Sequence, residues 1–280
     1  MGLYVGTCGF SYRDWIGRFY PADIAASGML EYYGRHFPAV EIDSTYYAVP
    51  KPELLAGMAR RTPAGFRFTV KAPGSITHVP ADARPPAKDV GDFRACLEPL
   101  QAKNKLAAVL AQFPNGFRPG SAARRRLEEL REWWPDLPLI AEFRNREWQD
   151  AATLRALHRL HIGWCNVDQP RFDSLLRPGA DVTSNIGYVR FHGRNYASWW
   201  KQQRGAHERY SYLYTPDELA PWTDRIAEVA AQAEDTYVFF NNHYLGQAAV
   251  NAKQLSEMLG VDSAPAQVAP DEGAAQQRLL

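Results

Sequence analysis

At 280 residues the chain is long enough to bury a large core, and all-parallel barrels of about 250 residues commonly form one domain. Its net charge of +1 argues neither for nor against a polyanionic partner, so only a local patch would serve nucleic acid. Three cysteines without CxxC spacing speak against a disulfide framework or zinc knuckle, and no apolar run reaches membrane length. The chain enters a strand with no basic-then-apolar leader, so a cytoplasmic protein with no membrane partner is expected.

Residues 3–7 read as a first short strand, closed by Cys8 and Gly9. A loop rich in aromatics (Phe10, Tyr12, Trp15, Phe19, Tyr20) leads to a helix near 29–36. Residues 40–43 form a second strand, with Val40 and Ile42 on one face and Glu41 and Asp43 on the other. Pro52 suits the first turn of a helix ending near Arg61. In the third strand, 66–71, Arg67, Thr69 and Lys71 share the polar face. A loop through His78 and a proline-rich stretch precede a helix over 89–103.

The fourth strand, 106–112, ends at Gln112; a Pro/Gly loop and a charged helix over 122–134 follow. Residues 139–144 are the fifth strand, and Asp150 caps a helix running to His158. The sixth strand, 162–168, carries Asn166 and Asp168 on one parity, and the helix after it is weakly signalled at 172–176. The seventh strand, 186–192, alternates Val189 and Phe191 with Tyr188, Arg190 and His192, followed by Gly193 and Arg194. A long segment, 195–214, precedes the capping-box sequence Thr215-Pro216-Asp217-Glu218, and Pro221 predicts an irregular start to that helix. Residues 236–242 are the eighth strand and 246–259 the last helix.

Eight strands alternating with helices predict an α/β protein, a single-domain (β/α)8 TIM barrel over 1–260, with a flexible tail at 261–280. An open doubly wound sheet is the rival, but no GxGxxG opens a helix. The strand ends then supply Thr7, Glu41 with Asp43, Lys71, Gln112, Glu142 with Arg144, Asp168, Arg190 with His192, and Asn241 with Asn242. Each by itself reads as a solvated strand end or an ion pair. Their convergence on the face where barrels of this kind keep their active sites points to a functional mouth.

The motifs GTCGFSYRDW (6–15), FYP (19–21), VEIDSTYY (40–47), GFRFTVKAP (65–73), EFRNREW (142–148), RFHGR (190–194) and VFFNN (238–242) stand in this order. In them the chain resembles the YecE-like proteins, the domain of unknown function 72, over about residues 2–259. The resemblance implies a TIM barrel and no established activity. Matched one by one, Glu41, Lys71, His78, Gln112, Glu142, Arg144, His192, Arg194, Asn241 and Asn242 fall on that family's characteristic polar positions. Asp43 stands where the family usually has Asn, adding a negative charge. Cys8 stands where Ser is also familiar, which argues against an obligatory thiol nucleophile.

The leading expectation is an enzyme that uses acid/base chemistry on a small anionic substrate, a phosphorylated sugar or nucleotide-like fragment. Glu41, Lys71, Glu142 and His192 form its catalytic set, with Glu41 or Glu142 exchanging protons. Arg144, Arg190 and Arg194 would bind the anion; Gln112, Asn241 and Asn242 would orient the substrate, with Asp43 and His78 completing that set. Lys71 suits a Schiff base less well than partnership with Glu41 or Glu142. No cofactor is expected. A divalent ion would draw on Glu41, Asp43, Glu142, Asp168 and His192, but there is no HxH or HExxH spacing and neighbouring cations oppose it.

Between Gly193 and Tyr214, Arg194, Trp199, Trp200, Lys201, Arg204, His207, Arg209, Tyr210 and Tyr212 mix rings with cations. Such a segment suits nucleic acid as a partner, a lid over the mouth, or a subunit interface. The alternatives to an enzyme are therefore a nucleic-acid-binding or DNA-processing protein using this loop, and a non-catalytic scaffold whose mouth charges serve stability.

Overall fold

The computed structural model describes residues 2–200 and 209–261. Strands β1 (Gly2–Cys8), β2 (Ala39–Ile42), β3 (Arg67–Lys71), β4 (Leu106–Gln112), β5 (Leu139–Glu142), β6 (Gly163–Asp168), β7 (Ile186–Phe191) and β8 (Asp235–Phe240) are joined in sequence order. All pair in parallel, and β8 returns to β1 through six registered positions from Gly2↔Asp235 to Thr7↔Phe240, closing the barrel. That ladder removes both sheet edges and settles the choice against an open sheet.

The period-two alternation decides what each strand shows to the barrel axis. On β7, Tyr188 and Arg190 point inward and reach Glu41 on β2, across the barrel. Phe191 points outward, stacking on Phe240 at 4.5 Å and meeting Trp222 at 5.0 Å. Rings fill the lower interior: Tyr4 stacks on Tyr237 at 4.9 Å, and Tyr188 packs beside Phe239 at 5.6 Å. The barrel is therefore a packed core below and polar toward the ends of its strands.

Outside it lie α1 (Met29–Tyr33), α2 (Pro52–Arg60), the short α3 (Gly74–Thr77), α4 (Ala87–Ala102), α5 (Ser121–Trp133), α6 (Ala151–Arg159), α7 (Pro216–Gln232) and α8 (Gln247–Leu259). Helix α7 buries Leu219, Trp222, Ile226 and Val229, a stripe at three-to-four-residue spacing; each such side chain is worth about 1.5–3 kcal/mol. The capping box forms at Thr215 and Glu218, and Asp150 accepts a hydrogen bond from Thr153 N at 2.7 Å, both as the sequence indicates. The expected irregularity at Pro221 does not occur: α7 runs unbroken through it.

The weak helix expected at 172–176 is also corrected. Between β6 and β7 a single turn forms, Leu175 N to Phe172 O at 3.0 Å, and the flanking bonds run to distant residues: Arg146 N to Ser174 O at 2.9 Å, Leu176 N to Arg144 O at 3.3 Å, and Arg177 N to Gln149 Oε1 at 2.9 Å. Those long-range bonds, together with the burial of Leu175 and Leu176, override a short apolar run with little helical reason of its own. Residues 262–280, most of the expected tail, and Lys201, Arg204 and His207 lie outside the described residues. Among the described residues, no helix is long and apolar enough to cross a membrane.

Candidate active site

Two registered pairs seed the mouth: Cys8 beside Glu41, and Gln112 beside Glu142. Arg190, only 1 % exposed, spans the space between the two glutamates. Its Nη2 donates to Glu41 Oε1 at 2.5 Å, and its Nη1 donates to Glu142 Oε2 at 2.6 Å. Glu41 also accepts from Tyr188 Oη at 2.5 Å, and Tyr188 stands 2.9 Å from Thr69 Oγ1. On the other side, Glu142 Oε1 lies 2.6 Å from Arg144 Nε and 3.2 Å from His192 Nε2.

The same burial acts differently on the two glutamates. For Glu142 burial favours the neutral acid, but Arg144 and Arg190 outweigh it and hold the carboxyl well below its usual range. Glu41 is pushed up to about 7, chiefly by burial, partly offset by Arg190 and reinforced by the neighbouring Asp43. The residue departing from the resembled pattern thus has a physical consequence: its charge helps to hold a proton on Glu41 near neutral pH. Burial, with help from Arg144, lowers His192 to about 3 and keeps it neutral. His192 Nδ1 faces Asn241 Nδ2 at 3.1 Å; with the amide donating, the ring proton sits on Nε2, toward Glu142.

Above this floor opens a cavity of about 1040 Å³, walled by the ends of β2, β3, β4, β5 and β8 and by the loops beyond β1 and β7. Asp43, Lys71, His78, Gln112, Arg144 and Asn241 line it. Lys71 Nζ lies 4.6 Å from the centre of the Tyr46 ring. Arg144 and Arg209 both stand over Trp199 at 5.9 Å. Burial, followed by Lys71 and Arg144, lowers His78 to about 4, so this wall holds its positive charge around a neutral imidazole.

The profile of the family described as protein of unknown function DUF72 matches residues 4–276. The chain belongs to the DUF72 family. It is similar to the UPF0759 protein YunF of Bacillus subtilis, at 33% identity over 93% of this chain and 95% of the relative. It also resembles the solved DUF72 protein of Thermotoga maritima, with TM-score 0.83 and 38% identity, over 93% of this chain and 100% of that one. The DUF72 protein of Enterococcus faecalis gives TM-score 0.82 and 28% identity over 95% and 100%. The DUF72 barrel is thus common to this chain and these two solved relatives.

In this DUF72 chain six expected site residues do not line the cavity. Arg194 clamps Asp168 through Nε at 2.8 Å and Nη2 at 2.6 Å, outside the barrel. By strict alternation it would follow His192 inward, but Gly193 at φ +81° breaks the alternation and turns it out. Asn242 falls on the outward parity of β8, where its Nδ2 donates to Tyr212 O at 2.7 Å and Asn251 Oδ1 at 2.9 Å. Arg190 lies beneath the cavity, its guanidinium occupied by the glutamates.

Glu41, Glu142 and His192, with 0 % exposure, also lie in the floor and not on the cavity wall. Among the described residues Lys71 forms no ion pair with Glu41 or Glu142, correcting that expectation; Arg190 and Arg144 take that place because they reach the glutamates directly.

For a divalent ion the donor set fits poorly. Asp168 faces outward and already accepts from Arg194, Tyr214 Oη and Trp222 Nε1. The ligand atoms of Cys8, Glu41 and Asp43 do gather within 4.8 Å of one another. Arg190 Nη2 stands 3.3 Å from Cys8 Sγ, 2.5 Å from Glu41 Oε1 and 3.6 Å from Asp43 Oδ2, so a guanidinium occupies the place of the cation.

Sequence reading missed Tyr12, Tyr46, Asn115 and His243 on the wall. Of these, Tyr46 had a signal, lying three residues after Asp43 at the polar end of the second strand. His78 is delivered by α3, too short to leave a periodic trace.

Proposed function

We propose that this DUF72 protein is an enzyme acting by proton transfer on a small phosphorylated substrate held in the mouth of its barrel. The observation that carries the reading is the polarity of the cavity. One wall presents Lys71, Arg144 and Arg209; near β2 lies Asp43, adjoining a glutamate with a proton available near pH 7. Lys71 and Arg209 have no carboxylate partner among the described residues, and Arg144 shares Glu142 with Arg190. The wall therefore has positive charge left for an anion.

In this reading the phosphate lies against the cations, and Gln112 and Asn241 orient the rest of the molecule. Glu41 stores the proton and Asp43 exchanges it with the substrate at the cavity surface. Lys71 polarises a substrate carbonyl, favouring removal of a proton from the adjacent carbon.

The test is calorimetric titration of sugar phosphates into wild type, Lys71→Ala and Arg209→Ala. A compound that binds wild type and loses about tenfold or more affinity in either variant, a loss of about 1.4 kcal/mol, is then incubated in D2O. Carbon-bound deuterium should enter it with wild type, while Asp43→Asn should bind it with exchange slowed by about a hundredfold or more. Phosphorylated compounds bound equally by all three proteins would place the anion elsewhere and sink the reading.

A further inference from the structure

Two rings on the cavity wall stay open to solvent at its edge. Tyr47 is 82% exposed and Trp200 is 51% exposed. Tyr47 touches Tyr46 edge-on at 5.1 Å, and Trp200 meets Phe172 at 5.6 Å with planes 53° apart. Among the described residues, neither ring has a neighbour stacked flat on it. Other wall rings are engaged: Tyr12 is stacked on His243 at 4.6 Å, and Trp199 lies under Arg144 and Arg209.

Exposed aromatic rings bordering a cationic pocket match a ligand with two unlike ends. The deep end must be anionic, to meet Lys71, Arg144 and Arg209. A planar outer end suits these rings, because a tyrosine or indole face stacks on a flat π-system such as a nucleic-acid base. The cavity is also larger than a sugar phosphate needs: at about 1040 Å³ it lies at the upper end of pockets that enclose drug-sized ligands.

We infer that the ligand of this cavity is a nucleotide, its phosphate on the Lys71–Arg144–Arg209 wall and its base on a rim ring, Tyr47 or Trp200. The inference rests on the proposed reading of the cavity as an anion-binding active site and narrows its substrate class. The same chemistry is offered by a free nucleotide and by the phosphorylated end of a strand. In the second case, neighbouring bases would extend past the rim rings.

The experiment is calorimetry with the full chain and adenosine 5′-monophosphate, ribose 5-phosphate, adenosine, and a short 5′-phosphorylated oligothymidylate. Adenosine 5′-monophosphate should bind about tenfold or more tighter than ribose 5-phosphate, as one base stacked on an aromatic ring would give. Tyr47→Ala with Trp200→Ala should erase that difference while leaving ribose 5-phosphate binding unchanged. Lys71→Ala should weaken both phosphates. Both rim side chains are exposed, so the double variant keeps its core.

Tighter binding of the oligonucleotide than of the mononucleotide identifies a strand end as the ligand; the reverse order identifies the free nucleotide. Equal binding of the two monophosphates, or indifference to the rim variant, overturns the nucleotide inference and leaves the anionic-substrate reading standing. Adenosine bound as well as its monophosphate, or no binding by any of the four, overturns both.

Discussion

Glu41 and Glu142 are chemically identical, equally buried and joined to the same arginine, yet their acidities are shifted in opposite directions. The difference lies in second partners: Glu142 has Arg144, whereas Glu41 has Asp43. Replacing Asp43 with Asn removes a charge that raises Glu41, so its titration should move from about 7 toward the ordinary carboxylate range. Carbon-13 NMR of labelled glutamate measures this directly, and an unmoved midpoint would mean that burial by itself sets the value. His192 gives a stability signature. Its folded value of about 3 lies below the ordinary 6.5, so the unfolded chain takes up a proton first as pH falls. Stability should therefore decline from about pH 6.5 to about pH 3, and His192→Gln should lack that component in urea unfolding followed across pH. Wild type and variant with parallel pH profiles would show that His192 is already protonated in the fold.

At the scale of elements, the loop from β7 to α7 is held at its root by one carboxylate. Asp168, at the end of β6, accepts from Arg194 near the start of the loop, from Tyr214 Oη near its end at 2.7 Å, and from Trp222 Nε1 on α7 at 2.8 Å. Asp168→Ala should cost about 3–5 kcal/mol in chemical denaturation, because it strands a half-buried guanidinium and two polar donors. A loss below about 1 kcal/mol would mean that Glu218, 3.4 Å from Arg194, holds the loop without it. These contacts also explain what could be read beforehand. Strand ends were legible because alternation survives in a single strand, which gave Asp43, Lys71 and Gln112 their places on the wall. Alternation stops where the strand stops, so nothing local revealed that Gly193 turns Arg194 away. The helix-free crossing from β6 to β7 was hidden for a related reason: Ser174, Leu176 and Arg177 bond to residues more than twenty positions distant.

For the whole molecule, the eightfold order of strands was legible because each unit buries its own apolar stripe and so carries its own period. Membership in the DUF72 family agrees with that reading, since motifs from β1 to β8 occur in one order along the chain. Depth was not legible. Sequence places Glu41, Glu142, Arg190 and His192 at strand ends, but only the closed barrel determines that Arg190 reaches both glutamates and that all four are buried in the floor of the mouth.

That crossing has a kinetic consequence. Arg190 lies 149 residues after Glu41 and 48 after Glu142, so both acids are made well before the cation that will join them. Contacts so distant along the chain form late, after loop closure has been achieved by other means. The arginine should then act as a latch on a barrel already assembled: Arg190→Met should raise the unfolding rate in stopped-flow experiments and leave the folding rate nearly unchanged. If folding slowed instead, the charge would belong to the nucleus. As a latch, it makes the lifetime of the closed mouth, more than the speed of reaching it, the property that Arg190 governs.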